Sequence, residues 1–460
     1  MEFVLVLLVL TGVAWGVAFL PRLTPLTLGI GVIVAGSVFG TEFYNVKLGP
    51  LPFTVDRFLW GLLGITLLIG RLKKNDGRLL QLSPIDFLLG SFILVLLVST
   101  FTHDWKRDGN LPMGRLLFFQ LIPISFFWLG RYTPFREKEL IPFAWMGILF
   151  GLYLALTGIA EKTGYHGLVF PRYIVASEET EFFGRARGPF INPIGNGIIM
   201  IFCMACCCLL WKNYGQSVRS LLLGCIGVLV VGIFCTMTRS VWLGLFASLA
   251  VTVWYTFPVA SRGALVSSIA VAGLLYAFLF SPYMNKFKRD EYVTAEQMSQ
   301  SAALRPMLIA VAWEMGSDKP LLGHGYGQYR VVSAEYHRDG KWEMPLQEAR
   351  IYLQHNVFLA YLAELGLVGL GLGVAVFACF LNNSYRLLTN PKIRNGFRML
   401  SLVTLLLTIN MVVNGCFHDV SLILMVGSLH YYVNGLTYSV SDRQRREEAI
   451  GLKRAAIAEV

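Results

Sequence analysis

The sequence is poor in charge. Only 15% of its 460 residues are Asp, Glu, Lys or Arg, whereas 55% are hydrophobic, and the mean hydropathy is +0.59. A soluble protein carries about 25% charged residues. Many windows of about 18–22 residues are almost free of charge, which is the length of a bilayer-spanning helix. They are continuous runs, unlike the alternating segments of a membrane β-barrel. The composition therefore predicts an all-α polytopic integral membrane protein.

Signals for disulfides and metal sites are also missing. All eight cysteines fall in apolar runs, so no disulfide framework is expected. The cluster "CMACCC" at 203–208 lies inside a predicted helix without a nearby His or acid, which favours small buried residues over metal ligands. His324 and His337 have no acid at metal-ligand spacing. We therefore expect no metal site.

The net charge of +11 does not indicate a nucleic-acid partner. The basic residues occupy short loops between hydrophobic runs, and no basic face with interleaved aromatic residues is present. The first 22 residues lack the positive n-region of a cleaved signal peptide and run directly into another hydrophobic segment. They are therefore predicted to form a first span.

About 12–13 transmembrane helices are expected, because the sequence contains thirteen candidate spans with soft boundaries. The spans are 3–20, 24–41, 57–71, 85–102, 114–130, 141–159, 191–211, 220–237, 240–257, 263–281, 355–381, 398–416 and 419–438. No internal repeat is visible. The paired broken helices of an inverted-repeat transporter are not visible either.

Lys and Arg concentrate on alternate connections. The basic segments are 71–78, 131–138, 212–219, 386–398 and the tail at 441–448. Because basic short loops remain on the cytoplasmic side, the other connections, including 160–190 and 282–354, are predicted to face outward. The bias is not perfect, since the outward loop 103–115 also carries Lys and Arg.

Four regions follow from this map. They are N-terminal transmembrane helices (1–160), central transmembrane helices with outward Arg motifs (161–281), one large periplasmic loop late in the chain (282–354), and C-terminal transmembrane helices with a cytoplasmic tail (355–460). The large loop contains a predicted amphipathic helix broken by Pro306 and a Gly-rich turn, "GHGYG", at 323–327. A loop of this length is usually functional.

Several cationic residues gather on the outward face. Arg185 and Arg187 precede one span, Arg239 occupies a tight turn, Arg305 lies in the large loop, and His355 opens a late span. Arg is always charged and its planar fork matches phosphate oxygens, so two or three such residues suit a lipid-linked diphosphate. Interfacial snorkelling or pairing with loop acids is the competing interpretation for each arginine.

His355 is a candidate general base, since an imidazole titrates near neutral pH; a histidine bonded to the helix start is the alternative. Glu364 lies nine residues further along the same apolar run. An acid in such a run is functional or part of a polar network. We expect Glu364 to bond a neighbouring helix near Asn410 or Asn414, and not to form a dyad with His355.

Two other outward motifs have weaker signals. The "GHGYG" turn lacks the βαβ context of a dinucleotide site, and a backbone turn or anion nest is favoured. His418 and Asp419 lie together in an outward turn, where a plain loop pair is favoured over substrate binding.

Four motifs carry a resemblance to a known family. They are "RARGPFINP", "TMTRSVWLGL", Arg305 to Trp313 followed by "KPLLGHGYGQY", and "LQHNVFLAYLAELGLVG". Over roughly residues 180–430 the chain resembles the O-antigen ligase / O-antigen polymerase superfamily (WaaL and the Wzy C-terminal domain). The resemblance implies a GT-C-like bundle of about twelve helices with a large periplasmic loop. It also implies transfer of a glycan from an undecaprenyl-diphosphate carrier without metal or other cofactor.

The resemblance assigns roles to residues. It implies His355, Arg239 and Arg187 as catalytic residues. It implies Arg305, Arg185, Tyr352 and Asn356 as substrate-binding residues. In this assignment Arg187 and Arg239 bind the diphosphate, Arg305 assists, and His355 activates the acceptor hydroxyl. The family's usual Ser-Arg is replaced here by Thr238-Arg239, and the choice of Arg187 over Arg185 is a preference.

Three functions compete. A ligase would transfer the glycan to a lipid A-core or other acceptor, and a polymerase would transfer it to a growing glycan; the motifs scarcely separate the two. The compact outward loop, with a predicted helix that could cover one acceptor, slightly favours the ligase. A solute carrier, such as a bicarbonate carrier, would bury its polar groups at the membrane midplane, whereas here most of them lie outward. We therefore expect a metal-independent glycosyltransferase of the bacterial inner membrane, with its active site facing the periplasm and the lipid bilayer around it.

Overall fold

The computed structural model describes residues 24–43, 46–48, 51–73, 82–104, 112–176, 182–275, 295–337 and 353–458. The helices of these residues are α1 Pro25–Val38, α2 Val55–Lys73, α3 Pro84–Phe101, α4 Pro112–Tyr132, α5 Leu140–Thr163, α6 Pro193–Trp211, α7 Gln216–Cys235, α8 Arg239–Thr256, α9 Val259–Leu275, α10 Ala295–Asp318, α11 Tyr329–Tyr336, α12 Val357–Thr389, α13 Asn395–Gly415 and α14 Leu424–Ala458. Short 3₁₀ turns link several of them. Helix α4 contains a π-helical turn at Leu117–Leu121.

The helical membrane fold is confirmed. Seven helices in the described part of the chain are long and apolar enough to cross a membrane, namely α3 to α7, α12 and α13. Two shorter apolar segments, Pro25–Val38 and Val259–Gly273, accompany them. Within the described residues, every predicted span from 24–41 onward overlaps a helix, whereas the predicted span 3–20 and positions 276–281 of the span 263–281 lie outside the described residues.

The structure departs from the sequence-based expectation in two local features. A small antiparallel hairpin, β1 Val46–Leu48 and β2 Leu51–Phe53, precedes α2, with Val46 opposite Phe53. In the large loop, α10 is not broken at Pro306 but runs through it. Proline removes one backbone N–H and often ends a helix, yet here both flanking turns remain helical.

The helices alternate in direction, so their ends collect into two groups. One group, which we call the His355 end, contains the starts of α6, α8 and α12 and the ends of α5, α7 and α13. Two hydrogen bonds illustrate the grouping: Ala186 N donates to the Cys235 carbonyl oxygen at 3.0 Å, and Asn356 Nδ2 donates to the Cys416 carbonyl oxygen at 2.9 Å.

The opposite end collects the basic connections. Gly396 N donates to Glu137 Oε1 at 2.7 Å, which joins segments 131–138 and 386–398. Arg131 bridges two acids there, Asp86 and Asp442, the second at 2.8 Å. The alternation of Lys and Arg along the sequence therefore agrees with the packing of the described residues: segments 131–138 and 386–398 and the start of the basic tail lie together, across the bundle from His355.

Close packing inside the bundle explains the cysteine cluster. Cys203, Cys206 and Cys207 are buried, and all eight cysteines are free thiols. A methyl group added at Gly147 would lie 3.0 Å from Cys206 Sγ. Small residues on α5 and α6 thus let the two helices approach closely, as is usual between membrane helices.

Candidate active site

Three helices that begin at the His355 end share the same local start. In each, a non-glycine residue in the left-handed region precedes the N-cap residue. The left-handed residues are Ile191 (φ 48°), Met237 (φ 50°) and His355 (φ 48°), and the N-caps are Asn192, Thr238 and Asn356. Few non-glycine residues adopt this conformation, and such strain is characteristic of functional sites.

Side-chain caps fix two of these helix starts. Asn192 Oδ1 accepts from Ile194 N at 2.9 Å, and Asn356 Oδ1 accepts from Phe358 N at 2.9 Å. Asparagine is among the best N-cap residues because its side chain satisfies an otherwise free backbone N–H. Three helix starts at one end of the bundle also direct their positive dipole ends there, which favours an anion at that end.

His355 lies half-buried between opposite charges. Burial lowers its pKa from the usual value, nearby Arg305 lowers it further, and the Asp419 carboxylate acts in the opposite direction. The pKa of His355 is lowered overall, so the imidazole is neutral at neutral pH and able to accept a proton. The ring of His418 meets that of His355 edge to face, with centroids 6.3 Å apart.

Asp419 is held in place by Arg115. Arg115 Nη2 donates to Asp419 Oδ2 at 3.2 Å, and its Nη1 donates to Glu364 Oε1 at 3.1 Å. Ser421 Oγ donates to the other oxygen of Asp419 at 2.5 Å. The two carboxylates are almost fully buried, with side chains 2% (Glu364) and 4% (Asp419) exposed. A single arginine therefore compensates both acids beneath His355.

Glu364 also binds the start of α11, just after the Gly-rich turn. Its Oε1 accepts from Tyr329 N at 3.2 Å. The prediction that Glu364 bonds a neighbouring helix is confirmed by Arg115 on α4, but the expected position near Asn410 or Asn414 was wrong. Those side chains donate instead to Ser248 Oγ, at 2.6 Å, and to the carbonyl oxygen of Asn410, at 3.0 Å. A buried carboxylate is stabilised best by a guanidinium, and Arg115 provides one.

A kink in α12 receives the turn from the large loop. Gly366, at φ 64° and ψ −163°, interrupts the helix, which leaves neighbouring backbone groups without partners inside the helix. The loop supplies them: Gly325 N donates to the Glu364 carbonyl oxygen at 2.9 Å, and Leu367 N donates to the Pro320 carbonyl oxygen at 2.7 Å. The motifs around 320–329 and 355–369 thus form one docked unit.

Arg187 is wholly buried and bonded within the protein. Its Nη2 donates to the Ile174 carbonyl oxygen at 2.8 Å, and its Nε lies 3.7 Å from Glu161 Oε1. The guanidinium also lies over the Phe183 ring, 4.9 Å from its centroid. Glu161 Oε2 accepts from Gly188 N at 2.8 Å. Contact between Arg187 and a diphosphate remains a prediction, and it requires these bonds to rearrange.

The other predicted residues differ in accessibility. Arg239 and Arg305 are exposed, Asn356 is half-buried, and Arg185 is buried with its guanidinium 4.9 Å from the Phe182 ring centroid. Tyr352 lies outside the described residues. The structure therefore brings His355, Asn356 and Arg305 together, with Arg239 at the start of α8 on the same end of the bundle.

Sequence reasoning missed Arg115 and gave little weight to Asp419. Asp419 acts on the charge of His355, and Arg115 fixes the position of Asp419. Yet 304 positions separate Arg115 from Asp419 along the chain. One signal was available: Arg115 opens a predicted apolar span while Glu364 interrupts another. Opposite charges in two apolar runs often pair, because an unpaired charge is expensive there.

One family model matches the middle of the chain. Residues 224–374 match the family model described as O-antigen ligase. The match contains Arg239, Arg305, His355 and Asn356, and it lies within the 180–430 range of the predicted resemblance, which is thereby confirmed. No curated protein matches the chain.

Proposed function

Since this multi-pass membrane protein carries the O-antigen ligase domain at residues 224–374, we propose that it is a glycosyltransferase. It takes a glycan from an undecaprenyl-diphosphate carrier and transfers it to an acceptor hydroxyl on the periplasmic face of the bacterial inner membrane. The family match supports a ligase or polymerase role in general. The donor, the side of the membrane and the residue roles are parts of our proposal.

The environment of His355 carries the proposal. A neutral imidazole, kept so by burial and by Arg305, is the form that a general base requires. It lies at the end of the bundle where three helix N-termini converge and where exposed Arg239 is placed. The base can take the proton of an acceptor hydroxyl, while the neighbouring anion-binding surface holds the diphosphate of the lipid-linked donor.

The proposed reaction is a single displacement at the anomeric carbon. His355 accepts the proton of the acceptor hydroxyl as the hydroxyl oxygen forms its bond to that carbon. The bond from the anomeric carbon to the carrier phosphate breaks, and its electron pair leaves on the diphosphate oxygen. Arg239 and Arg305 stabilise the charge that develops there, which is the largest catalytic contribution such a site usually makes. The proton leaves His355 for water.

The buried arginines take a different part in this scheme. Arg187 ties the chain before α6 to Ile174 and Glu161, so we assign it to holding that segment in place. Arg185 lies in the same segment, close to the ring of Phe182. Asn356 caps α12 and fixes the position of the preceding His355. These three residues position the site without contacting the donor in this arrangement.

The test is reconstitution of the purified protein with an undecaprenyl-diphosphate glycan and a panel of acceptors. We expect release of carrier diphosphate by the wild type, and its loss in His355→Ala. His166→Ala is the histidine control, because the ring of His166 packs on Phe183 and the proposed reaction uses neither residue. Full release by His355→Ala, or no release by the wild type with any acceptor, contradicts the proposal.

The same assay separates the two transferases. A single shift in product size indicates a ligase, and a ladder of repeats indicates a polymerase. Thermal unfolding of each variant in detergent shows whether a loss of activity comes from loss of the fold.

A further inference from the structure

A cavity of about 290 Å³ opens at the end of the bundle opposite His355. Its walls come from the last turns of α12 and from α14, where that helix extends beyond its apolar part. Arg386 and Asn390 line it from α12, and Gln444, Arg445 and Glu448 line it from α14. It adjoins the basic 386–398 connection, so the charge pattern assigns it to the cytoplasmic membrane surface.

Two guanidinium groups in this cavity are available for a ligand. Within the described part of the chain, Arg386 and Arg445 have no side-chain hydrogen bond or ion pair. The one acid of the wall, Glu448, already accepts from Gln444 Nε2 at 2.9 Å. The cavity therefore has an excess of positive charge and amide donors, which is the lining that a phosphate group prefers.

Part of the negative charge at the end of α12 is compensated within the protein. The C-terminal end of a helix is negative because its last carbonyls are free. In this helix the Arg386 carbonyl oxygen accepts from Asn390 N at 3.2 Å, and the Leu388 carbonyl oxygen accepts from Arg398 Nε at 2.9 Å. Protein donors, one of them cationic, thus offset the negative helix end.

The floor of the cavity is rigid. Asn383 on α12 donates through Nδ2 to Thr437 Oγ1 at 3.2 Å, and its Oδ1 accepts from Ser441 Oγ at 2.6 Å. Both partners lie on α14, so one amide fixes the separation of the two helices. A site whose walls are held before binding loses less entropy when the ligand arrives.

We propose that this cavity binds a phosphate group at the membrane surface, with Arg386 and Arg445 as its charged ligands. The phosphate belongs to an anionic phospholipid headgroup or is free inorganic phosphate. Cys379, Leu387 and Tyr438 form a less polar wall, which suits the first acyl carbons of a lipid. Basic pockets between membrane helices at the cytoplasmic side bind anionic headgroups in this way. The site is remote from His355 and does not depend on the proposed reaction.

The test measures binding to the full-length protein in detergent micelles. Phosphatidylglycerol and sodium phosphate are titrated separately, with bound lipid counted by native mass spectrometry and both ligands followed by the thermal unfolding midpoint. We expect the double variant Arg386→Gln/Arg445→Gln to bind at least about tenfold more weakly than the wild type. Lys392→Gln/Arg446→Gln is the matched control, since it removes the same charge from residues that do not line the cavity.

A second variant keeps the proposal testable if the double variant does not fold. Gln444→Glu adds an acid to the cavity wall at a surface position of α14, and we expect it to weaken binding as well. Lipid binding without phosphate binding identifies a headgroup site, and binding of phosphate alone identifies a site for the free ion; either result supports the proposal. It is overturned if the wild type binds neither ligand, if the double variant binds normally, or if the control loses as much affinity.

Discussion

Removal of the Arg115 charge tests how the two acids beneath His355 are held. Arg115→Gln leaves Glu364 and Asp419 without the guanidinium that now lies 3.1 Å and 3.2 Å from them. Their side chains are only 2% and 4% exposed, so water cannot replace it. Breaking a buried pair in this way costs about 3–5 kcal/mol. We expect a loss of that size in the free energy of unfolding.

The assay is reversible unfolding in mixed micelles, read by far-UV circular dichroism, as a double-mutant cycle. Glu364→Gln alone removes one acid, and combined with Arg115→Gln it should cost less than the sum of the two single changes, because contacting residues couple by about 0.5–3 kcal/mol. Arg262→Gln is the control, since the half-buried Arg262 donates, among the described residues, only to the Phe257 carbonyl oxygen, at 2.8 Å. A loss below about 1 kcal/mol for Arg115→Gln, or strict additivity, refutes the reasoning.

Two further predictions follow from the site. In the proposed mechanism activity requires neutral His355 and rises with pH through its pKa, so Arg305→Gln should move the acid limb of the pH profile upward, and Asp419→Asn should move it downward; equal shifts in one direction would contradict this assignment. Gly366→Ala should destabilise the docked loop by more than about 1 kcal/mol, because φ is 64° and the new methyl overlaps the backbone of the docked segment. Gly371→Ala, a site with open space in the same helix, should be neutral or slightly stabilising in the same thermal unfolding measurement.

The sequence was sufficient to predict where the apolar helices lie, because their signal is local, and seven of the described helices are long and apolar enough to cross a membrane. A run of apolar residues long enough to cross a bilayer becomes a helix whatever its neighbours are, since its backbone groups must bond internally. Even the short predicted span at 57–71 is a 19-residue helix. The helices that begin at Pro193 and Val357 start within two residues of the predicted spans 191–211 and 355–381.

The interior polar contacts were not predictable in the same way. The sequence interpretation placed polar groups mainly at the outer face, yet several lie inside the bundle. His430 Nε2 lies 3.3 Å from Thr408 Oγ1, and Asn434 Nδ2 donates to the same oxygen at 3.3 Å. Each side chain looks isolated in its own run. Only the packing of α13 against α14 shows that they satisfy one another, as polar residues between membrane helices commonly do.

The site itself depends on contacts between distant parts of the chain. The matched domain, 224–374, contains His355 and Glu364 but neither Arg115 nor Asp419. Without Arg115 the domain would hold a buried, uncompensated acid at the point where the Gly-rich turn docks. Arg305 lowers the pKa of His355 and Asp419 raises it, so without Asp419 this balance would be lost. The chemistry proposed for the matched segment therefore requires helices before and after it, and we infer that α4 and the turn preceding α14 are parts of the catalytic unit.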